Sequence, residues 1–248
     1  MKEKIYTIPV NDAYAAGGAC PLCTLEHTLN DSLLDYYLGP SLMEPDVRKA
    51  TNEKGFCRIH LDALYHRERN RLGLGLMLHT HTSDLVRDLN QSLTDSAPTG
   101  QARLFSGRGK DFRQVLTRMA EQIEKRAASC VICEQLEKTM DRYLDVIFYE
   151  YFINPAFKKR FDEGSGYCLP HLASLLRGAA KYLNQNQAAE WVGKLSELQN
   201  RSLEELRDDV EWFTLKFDHR NFDKDWKNSK DAIPRTIRKI RGGDEKAR

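Results

Sequence analysis

The stretch CVICEQLEKTMDRYLDVIFYEYFI, residues 130–153, joins a Cys-x-x-Cys pair to a long helical pattern. Apolar residues recur along it at steps of three and four, which is the spacing of the buried face of an amphipathic helix. Asn154-Pro155 follows, and proline disfavours helix at the residue before it, so we predict that this helix ends near Ile153. The pattern predicts an all-α fold in which a cysteine pair opens a long helix.

The same arrangement occurs earlier in the chain. The pair CPLC, residues 20–23, precedes a helical pattern that runs to Gly39-Pro40. Each copy then reaches a third cysteine and a histidine, in GFCRIH (residues 55–60) and GYCLPH (residues 166–171). Cys20 maps to Cys130 at an offset of 110 residues and Cys57 to Cys168 at 111. Matched motifs at a fixed offset indicate an internal repeat.

We therefore predict a tandem duplication of a helical zinc-knuckle unit whose long helices pack as a bundle. A run rich in Ser, Thr, Gly and Pro lies between the copies and is typical of a linker. The predicted divisions are a first repeat at 1–95, a linker at 96–110, a second repeat at 111–217 and a C-terminal tail at 218–248.

The two copies use all six cysteines and add one histidine each. A Cys-x-x-Cys turn lets two thiolates face one cation, and Cys-x-x-His at the first turn of a helix places two more ligands on one face. We expect two closed Cys₃His sites, each formed within one copy. These are Cys20, Cys23, Cys57 and His60, and Cys130, Cys133, Cys168 and His171.

Four such ligands without a carboxylate favour two zinc ions, with an iron–sulfur cluster as the alternative cofactor. Two other interpretations stay open: buried structural thiols, and a thioredoxin-like redox pair, which belongs in a strand–helix context. Covalent haem attachment requires histidine directly after the second cysteine, where Thr24 and Glu134 stand instead.

Helical spacing extends through most of the chain. One helix is predicted to begin near Phe112 and to lead into Cys130. Pro170 suits the first turn of a helix, so another should begin near Leu169 with Cys168 at its amino end. The long helices that follow the Cys-x-x-His motifs are predicted to span 58–93 and 170–217, the second broken near Asn184.

Composition excludes several classes of protein. The chain has 248 residues, 41% hydrophobic, with 38 basic and 36 acidic side chains. A net charge of +2 argues against bulk electrostatic binding of nucleic acid or anionic membrane. No apolar run reaches the roughly 20 residues of a membrane span, and no signal-peptide core follows Met1, so we expect a cytoplasmic protein.

No catalytic residue is predicted. Nucleotide-binding, hydrolase and metalloprotease signatures are missing from the sequence. A site closed by four protein ligands leaves no position for an activated water. His79 and His81 stand two residues apart, so on a helix they point to different faces. The lone histidines His27, His66 and His219 are expected to be surface or packing residues.

The end of the chain is basic, with six Lys or Arg between Arg235 and Arg248 against Asp244 and Glu245. Such a tail could contact phosphates or be a solvated helix end. We expect an interaction or scaffolding module with an unidentified protein partner, with a redox protein and a nucleic-acid-binding protein as alternatives. The sequence does not indicate the oligomeric state.

The CPxC and GFCxxH units, together with KFDHRN at residues 216–221, resemble an uncharacterised bacterial family known only as a domain of unknown function. The resemblance covers nearly the whole chain. The second knuckle departs from it, because Val131 stands where the first has Pro21. The resemblance implies bacterial origin and supplies no activity.

Overall fold

The computed structural model describes residues 4–96 and 112–243. These residues form eleven α-helices and two short 3₁₀ segments, without a strand, so the all-α prediction is confirmed. The helices are α1 Lys4–Ala15, α2 Pro21–Leu38, α3 Pro45–Lys54, α4 Arg58–His66, α5 Arg71–Ser96, α6 Phe112–Ala128, α7 Val131–Ile153, α8 Pro155–Asp162, α9 Leu169–Tyr182, α10 Gln185–Leu215 and α11 Ala232–Arg241. The 3₁₀ segments are Pro40–Met43 and His219–Asn221.

The chain divides into two compact units that are not consecutive in sequence. The terminal unit comprises Met1–Leu29 and Glu137–Arg248, and the central unit comprises Asn30–Leu136. The boundaries fall within α2 and α7. These units differ from the repeats at 1–95 and 111–217, which remain a prediction. Residues 97–110 of the proposed linker and 244–248 of the proposed tail lie outside the described residues.

The terminal unit packs around a large aromatic core. Trp191 of α10 is completely buried, with its ring centroid 5.0 Å from Phe148 of α7 and 5.9 Å from Phe161 of α8. Tyr14 of α1 packs against Phe157, ring centroids 4.7 Å apart. Aromatic pairs at such separations add to the stabilisation that comes from burial.

The core of the central unit is mostly aliphatic. Leu34 of α2, Leu64 of α4 and Met77 of α5 are all at least nine-tenths buried. In the same unit, Ile132 is fully buried at the start of α7, between Cys130 and Cys133. The apolar faces of these helices fix the positions of the turns between them, and those turns carry the cysteines.

Several predicted helix ends are confirmed. α7 ends at Ile153 before Asn154, whose side chain accepts from the amides of Ala156 and Phe157 and caps α8. α9 begins at Leu169 with Cys168 as its N-cap residue. Asn184 caps α10 through a capping box with Gln187, which is the predicted break.

The prediction of one helix over 58–93 is wrong. The chain breaks between His66 and Arg71, where Glu68 and Asn70 adopt φ of 53° and 47°. Asn70 is one of the residue types that tolerate this left-handed conformation. Its side-chain oxygen also accepts from the Gly73 amide at 3.0 Å and satisfies a free N–H at the start of α5.

Candidate metal centres

Four ligand atoms converge in the terminal unit. Cys20 stands immediately before α2 and Cys23 lies in its first turn, while Cys168 and His171 stand at the start of α9. The Nδ1 atom of His171 lies 3.6, 3.3 and 3.2 Å from the sulfur atoms of Cys20, Cys23 and Cys168. We call this quartet the terminal site.

A second quartet forms in the central unit. Cys57 and His60 stand at the start of α4, and Cys130 and Cys133 at the start of α7. The Nδ1 atom of His60 lies 3.2 Å from Cys57 Sγ, 3.4 Å from Cys130 Sγ and 3.3 Å from Cys133 Sγ. We call this quartet the central site.

Both quartets have the dimensions of a tetrahedral ligand set. With metal–sulfur bonds of about 2.3 Å and metal–nitrogen bonds of about 2.0–2.1 Å, neighbouring sulfurs lie about 3.8 Å apart and sulfur and nitrogen about 3.6 Å apart. The recorded sulfur–sulfur distances are 3.6 and 3.9 Å in the terminal site and 3.7 Å in the central site. Each quartet could therefore hold one metal ion, and all six thiols are free of disulfide bonds.

All eight predicted ligands reach a site, but the prediction that each site forms within one copy is wrong. Cys20 and Cys23 meet Cys168 and His171 rather than Cys57 and His60, which instead meet Cys130 and Cys133. Each site therefore takes its Cys-x-x-Cys pair from one half of the sequence and its Cys-x-x-His pair from the other.

Helix lengths give the physical reason. α2 has 18 residues and carries the chain about 27 Å from the first knuckle, whereas α3, with 10 residues, can bring it back by only about 15 Å. In the second half, α7 extends about 35 Å and α8 returns at most about 12 Å. The short helices α3 and α8 alone therefore do not return the Cys-x-x-His turn to the Cys-x-x-Cys pair of its own copy, which favours the crossed pairing.

Hydrogen bonds join the two halves of the central site and fix one half of the terminal site. In the central site, the Val131 amide donates to the Gly55 carbonyl at 3.1 Å, and Ser129 Oγ donates to the Lys54 carbonyl at 2.6 Å. In the terminal unit, the Gln199 side chain bonds both the amide and the carbonyl of Tyr167, at 2.9 and 3.0 Å. The residue preceding Cys168 is thereby fixed against α10.

The backbone conformation before each Cys-x-x-His motif favours glycine. Gly55 and Gly166 adopt φ of 62° and 74°, a region that side-chain-bearing residues avoid. A Cβ on Gly55 would also lie 2.8 Å from the His81 ring. The sharp turn at these positions presents the following cysteine as the N-cap of α4 or α9.

The outer nitrogen of each histidine meets a polar side chain of α2. His60 Nε2 lies 3.0 Å from Asn30 Oδ1, and His171 Nε2 lies 3.4 Å from Glu26 Oε2. An acceptor at this nitrogen fixes the ring so that Nδ1 carries the lone pair for a metal. The sequence analysis missed both residues. The available signal was that both are polar residues on one face of α2, the helix that begins at the Cys20–Cys23 pair.

Protons are shared unevenly among the ligands. Hydrogen bonds with Cys168 and Cys23 lower the pKa of the Cys20 thiol, whereas hydrogen bonds with Cys168 and Cys20 raise that of Cys23. Burial opposes the charged form of His171, but hydrogen bonds to Cys168 and Cys20 raise its pKa to about 11. A metal ion that binds to such a site must displace these protons.

The two sites differ in their exposure to solvent. Every ligand of the terminal site is buried. In the central site His60 and Cys130 are buried, Cys57 is half-buried and Cys133 is exposed. Although Cys133 is exposed as a residue, partial desolvation of its thiol raises the pKa to about 12, with the neighbouring Cys130 charge acting in the same direction.

The C-terminal helix α11 covers the terminal site. Lys239 is 8% exposed and its Nζ donates to the Ser165 carbonyl at 2.8 Å. Burial lowers the pKa of Lys239, while the charges of Cys20 and Cys168 act in the opposite direction. A Cβ on Gly242, just after α11, would lie 3.4 Å from Cys168 Sγ. The sequence analysis assigned neither Lys239 nor Gly242 to the site.

The other histidines stand apart from both quartets. His79 is exposed, and His81, half-buried, has its Nδ1 2.8 Å from the Asn52 carbonyl. His66 Nδ1 lies 2.7 Å from the Asp62 carbonyl, and His219 is 92% exposed beside Asp218. Among the helices of the described residues, none combines the length and apolar character that a membrane span requires.

Comparison with known proteins identifies a family. Residues 1–247 match a family described as a family of unknown function, DUF6062. No curated protein and no solved structure shows significant similarity to the chain.

Proposed function

Because the chain belongs to DUF6062, a family whose function is unknown, we propose a function from the two sites themselves. The protein is a structural zinc protein that binds two ions and acts as an interaction or scaffolding module. The observation that carries this proposal is the convergence of three cysteine sulfurs and one histidine Nδ1 in each unit.

The donor set supports zinc. Thiolate and imidazole ligands in tetrahedral arrangement are those of structural zinc sites. In each quartet the four ligand atoms all lie within 4.8 Å of one another, which suits a single ion. A binuclear iron–sulfur cluster distributes its ligands over two irons and needs a wider spread. These distances favour zinc over the iron–sulfur alternative.

Zinc in these sites would act by tying distant parts of the chain together. The terminal ion would join the start of α2 to the start of α9, and the central ion the start of α4 to the start of α7. Structural zinc contributes on the order of 10 kcal/mol of apparent binding free energy, comparable to the net stability of a whole domain. Metal binding would thus be coupled to folding in each unit.

Matching local geometry supports an ancestral duplication. Gly55 and Gly166 share positive φ, and Cys57 and Cys168 are both extended N-cap residues. These pairs occupy the same position in the two sequence copies. A duplicated protein in which each copy supplies half of two sites explains both the repeat and the crossed pairing.

A module of this kind is rigid and carries no open metal position for catalysis. Six free thiols agree with a reducing compartment such as the cytoplasm. The nucleic-acid alternative has less support, because α11 turns two of its cations towards the protein. Arg235 bonds Asp209 and Asp231 at 2.8 and 2.9 Å, and Lys239 is buried.

Metal analysis of the purified chain tests the proposal. We expect a colourless protein with about two zinc ions per chain, and a lower melting temperature after chelation. The Cys168→Ser variant should retain about one ion, while the control His79→Ala, at an exposed non-ligand histidine, should retain two. Iron with visible absorption would favour the redox alternative, and a metal-free chain with an unchanged melting temperature would refute the proposal.

A further inference from the structure

The central site exposes a sulfur ligand that the terminal site keeps buried. Cys133 is exposed and Cys57 half-buried, whereas the terminal cysteines Cys20, Cys23 and Cys168 are 6%, 6% and 1% exposed. A reagent dissolved in water can therefore reach a ligand of the central site without opening the fold. Reaching the terminal cysteines requires displacing the chain that covers them.

Two residues at the end of α11 cover the terminal site. Lys239 of α11 is held on the Ser165 carbonyl, and Gly242 packs against Cys168 and Cys23. The buried Lys239 also interacts favourably with the negative charges of Cys20 and Cys168. Both effects slow attack on these sulfurs by an electrophile, because they restrict access and stabilise the thiolate.

Within the central site, the four ligands are not equally reactive. Cys130 is buried, and its sulfur lies 3.5 Å from the Cys133 amide, which points a donor towards it. Cys133 is an exposed residue, and its Sγ lies 3.7 Å from Cys57 Sγ. A disulfide needs about 2.05 Å between sulfurs, so these two atoms must approach by about 1.7 Å.

We propose that Cys133 is a modification site for peroxides, with Cys57 as the thiol that completes a disulfide. The proposal rests on the proposed function, since it takes both cysteines to be zinc-bound thiolates. Metal coordination keeps a thiol deprotonated, and the thiolate is the form that reacts with peroxides.

The reaction balances in two steps. The Cys133 thiolate attacks one oxygen of hydrogen peroxide, so that an S–O bond forms, the O–O bond breaks and hydroxide leaves. The Cys57 thiolate then attacks the sulfur of the resulting sulfenic acid, forming the S–S bond and releasing a second hydroxide. The two thiolates lose two electrons to the peroxide, and each hydroxide takes a proton from a buffer acid to become water.

The product retains only Cys130 and His60 as ligands in the central site. Two ligands bind zinc far more weakly than four, so the ion leaves the central site while the terminal ion remains. A thiol reductant reverses the reaction by thiol–disulfide exchange. The central unit would thereby lose its metal in response to peroxide while the terminal unit keeps its own.

The test uses the full-length zinc-loaded chain and hydrogen peroxide. Released zinc is followed with a colorimetric chelator, and cysteine oxidation is mapped by mass spectrometry of peptides. We expect release of about one ion per chain, a Cys57–Cys133 disulfide, and rebinding of the ion after reduction. The terminal cysteines of the same molecules are the internal control, and Cys133 should react at least about tenfold faster than Cys168.

A second variant separates access from reactivity. Lys239→Ala removes part of the cover over the terminal site without removing a ligand, so Cys168 should be oxidised faster in this variant than in the wild-type chain. The outcomes that decide the proposal are those of the wild-type chain. Fewer than two ions per chain before peroxide is added would refute the proposed function itself. Two bound ions released together, or Cys168 oxidised as fast as Cys133, would overturn this inference and leave the proposed function standing.

Discussion

Cys23 Sγ lies 3.3 Å from His171 Nδ1, although 148 residues separate them in the chain. The contact brings the first turn of α2 to the first turn of α9 within the terminal unit. A metal ion between them would close a loop containing most of the protein. The ion would stabilise the folded state by binding to it in preference to the unfolded chain, in which these distant ligands do not meet.

The partners of the outer histidine nitrogens set metal affinity. We predict that Asn30→Ala weakens zinc binding at the central site by about 10-fold or more, because His60 loses the acceptor that orients its ring. Competition with a zinc chelator of known affinity measures the change.

Glu26→Ala is the matched control for this prediction. It removes the partner of His171 and should weaken only the terminal site. If neither variant lowered the zinc affinity of its own site relative to the wild-type chain, these α2 side chains would not position the ligands.

The hydroxyl pair of Tyr14 and Tyr167 contributes to the stability of the terminal unit. Their oxygens lie 2.8 Å apart, and both side chains are buried. Either single Tyr→Phe change should cost about 1–3 kcal/mol, because it leaves one buried hydroxyl without its partner.

The double variant should cost clearly less than the sum of the two single changes, since no orphan hydroxyl remains. Denaturant unfolding of the four proteins gives the coupling free energy. Additive effects would mean that the two hydroxyls contribute independently.

Hydrogen bonds join Asp141 of α7 to the end of α9. Lys181 Nζ and the Tyr182 hydroxyl each donate to Asp141 Oδ2 at 2.7 Å. The hydrogen bond from Lys181, with that from Tyr182, holds the pKa of Asp141 below its ordinary value. The stabilisation is therefore present above the unfolded pKa of about 3.9 and is lost as pH falls through the lower folded value.

Asp141→Asn should thus destabilise the protein at pH 7, by about 0.5–1 kcal/mol because the carboxylate is 41% exposed and screened by solvent. The difference should fall towards zero as the wild-type carboxylate becomes protonated below about pH 4. Thermal unfolding across this pH range measures it, and a difference that grew on acidification would contradict the assignment.

Local features of the fold were predictable, because they depend on nearby residues. The helix ends at Ile153 and Leu169 follow from proline chemistry, and the eight ligands from residue type and spacing. The break at Glu68 and Asn70 was not predicted, although residues 66–71, HRERNR, interrupt the apolar pattern. Its signal was Asn70, a capping residue three positions before Gly73.

Spacing does not predict which Cys-x-x-Cys pair shares a site with which Cys-x-x-His pair. Each of these pairs is one half-site. Four half-sites with two ligands each combine into two quartets in more than one way, and the motif alone does not distinguish Cys57 from Cys168 as the partner of Cys20. The lengths of α2 and α7 relative to α3 and α8 favour the crossed pairing, because each short helix covers only part of the distance that the long helix before it spans.

Zinc content of two double variants tests the crossed pairing most directly. Cys20→Ser with Cys168→Ser damages one quartet, so the chain should keep about one ion. Cys20→Ser with Cys57→Ser damages both, so it should keep none. If the first variant instead lost both ions while the second kept one, each site would form within one sequence copy, and the crossed pairing would be contradicted.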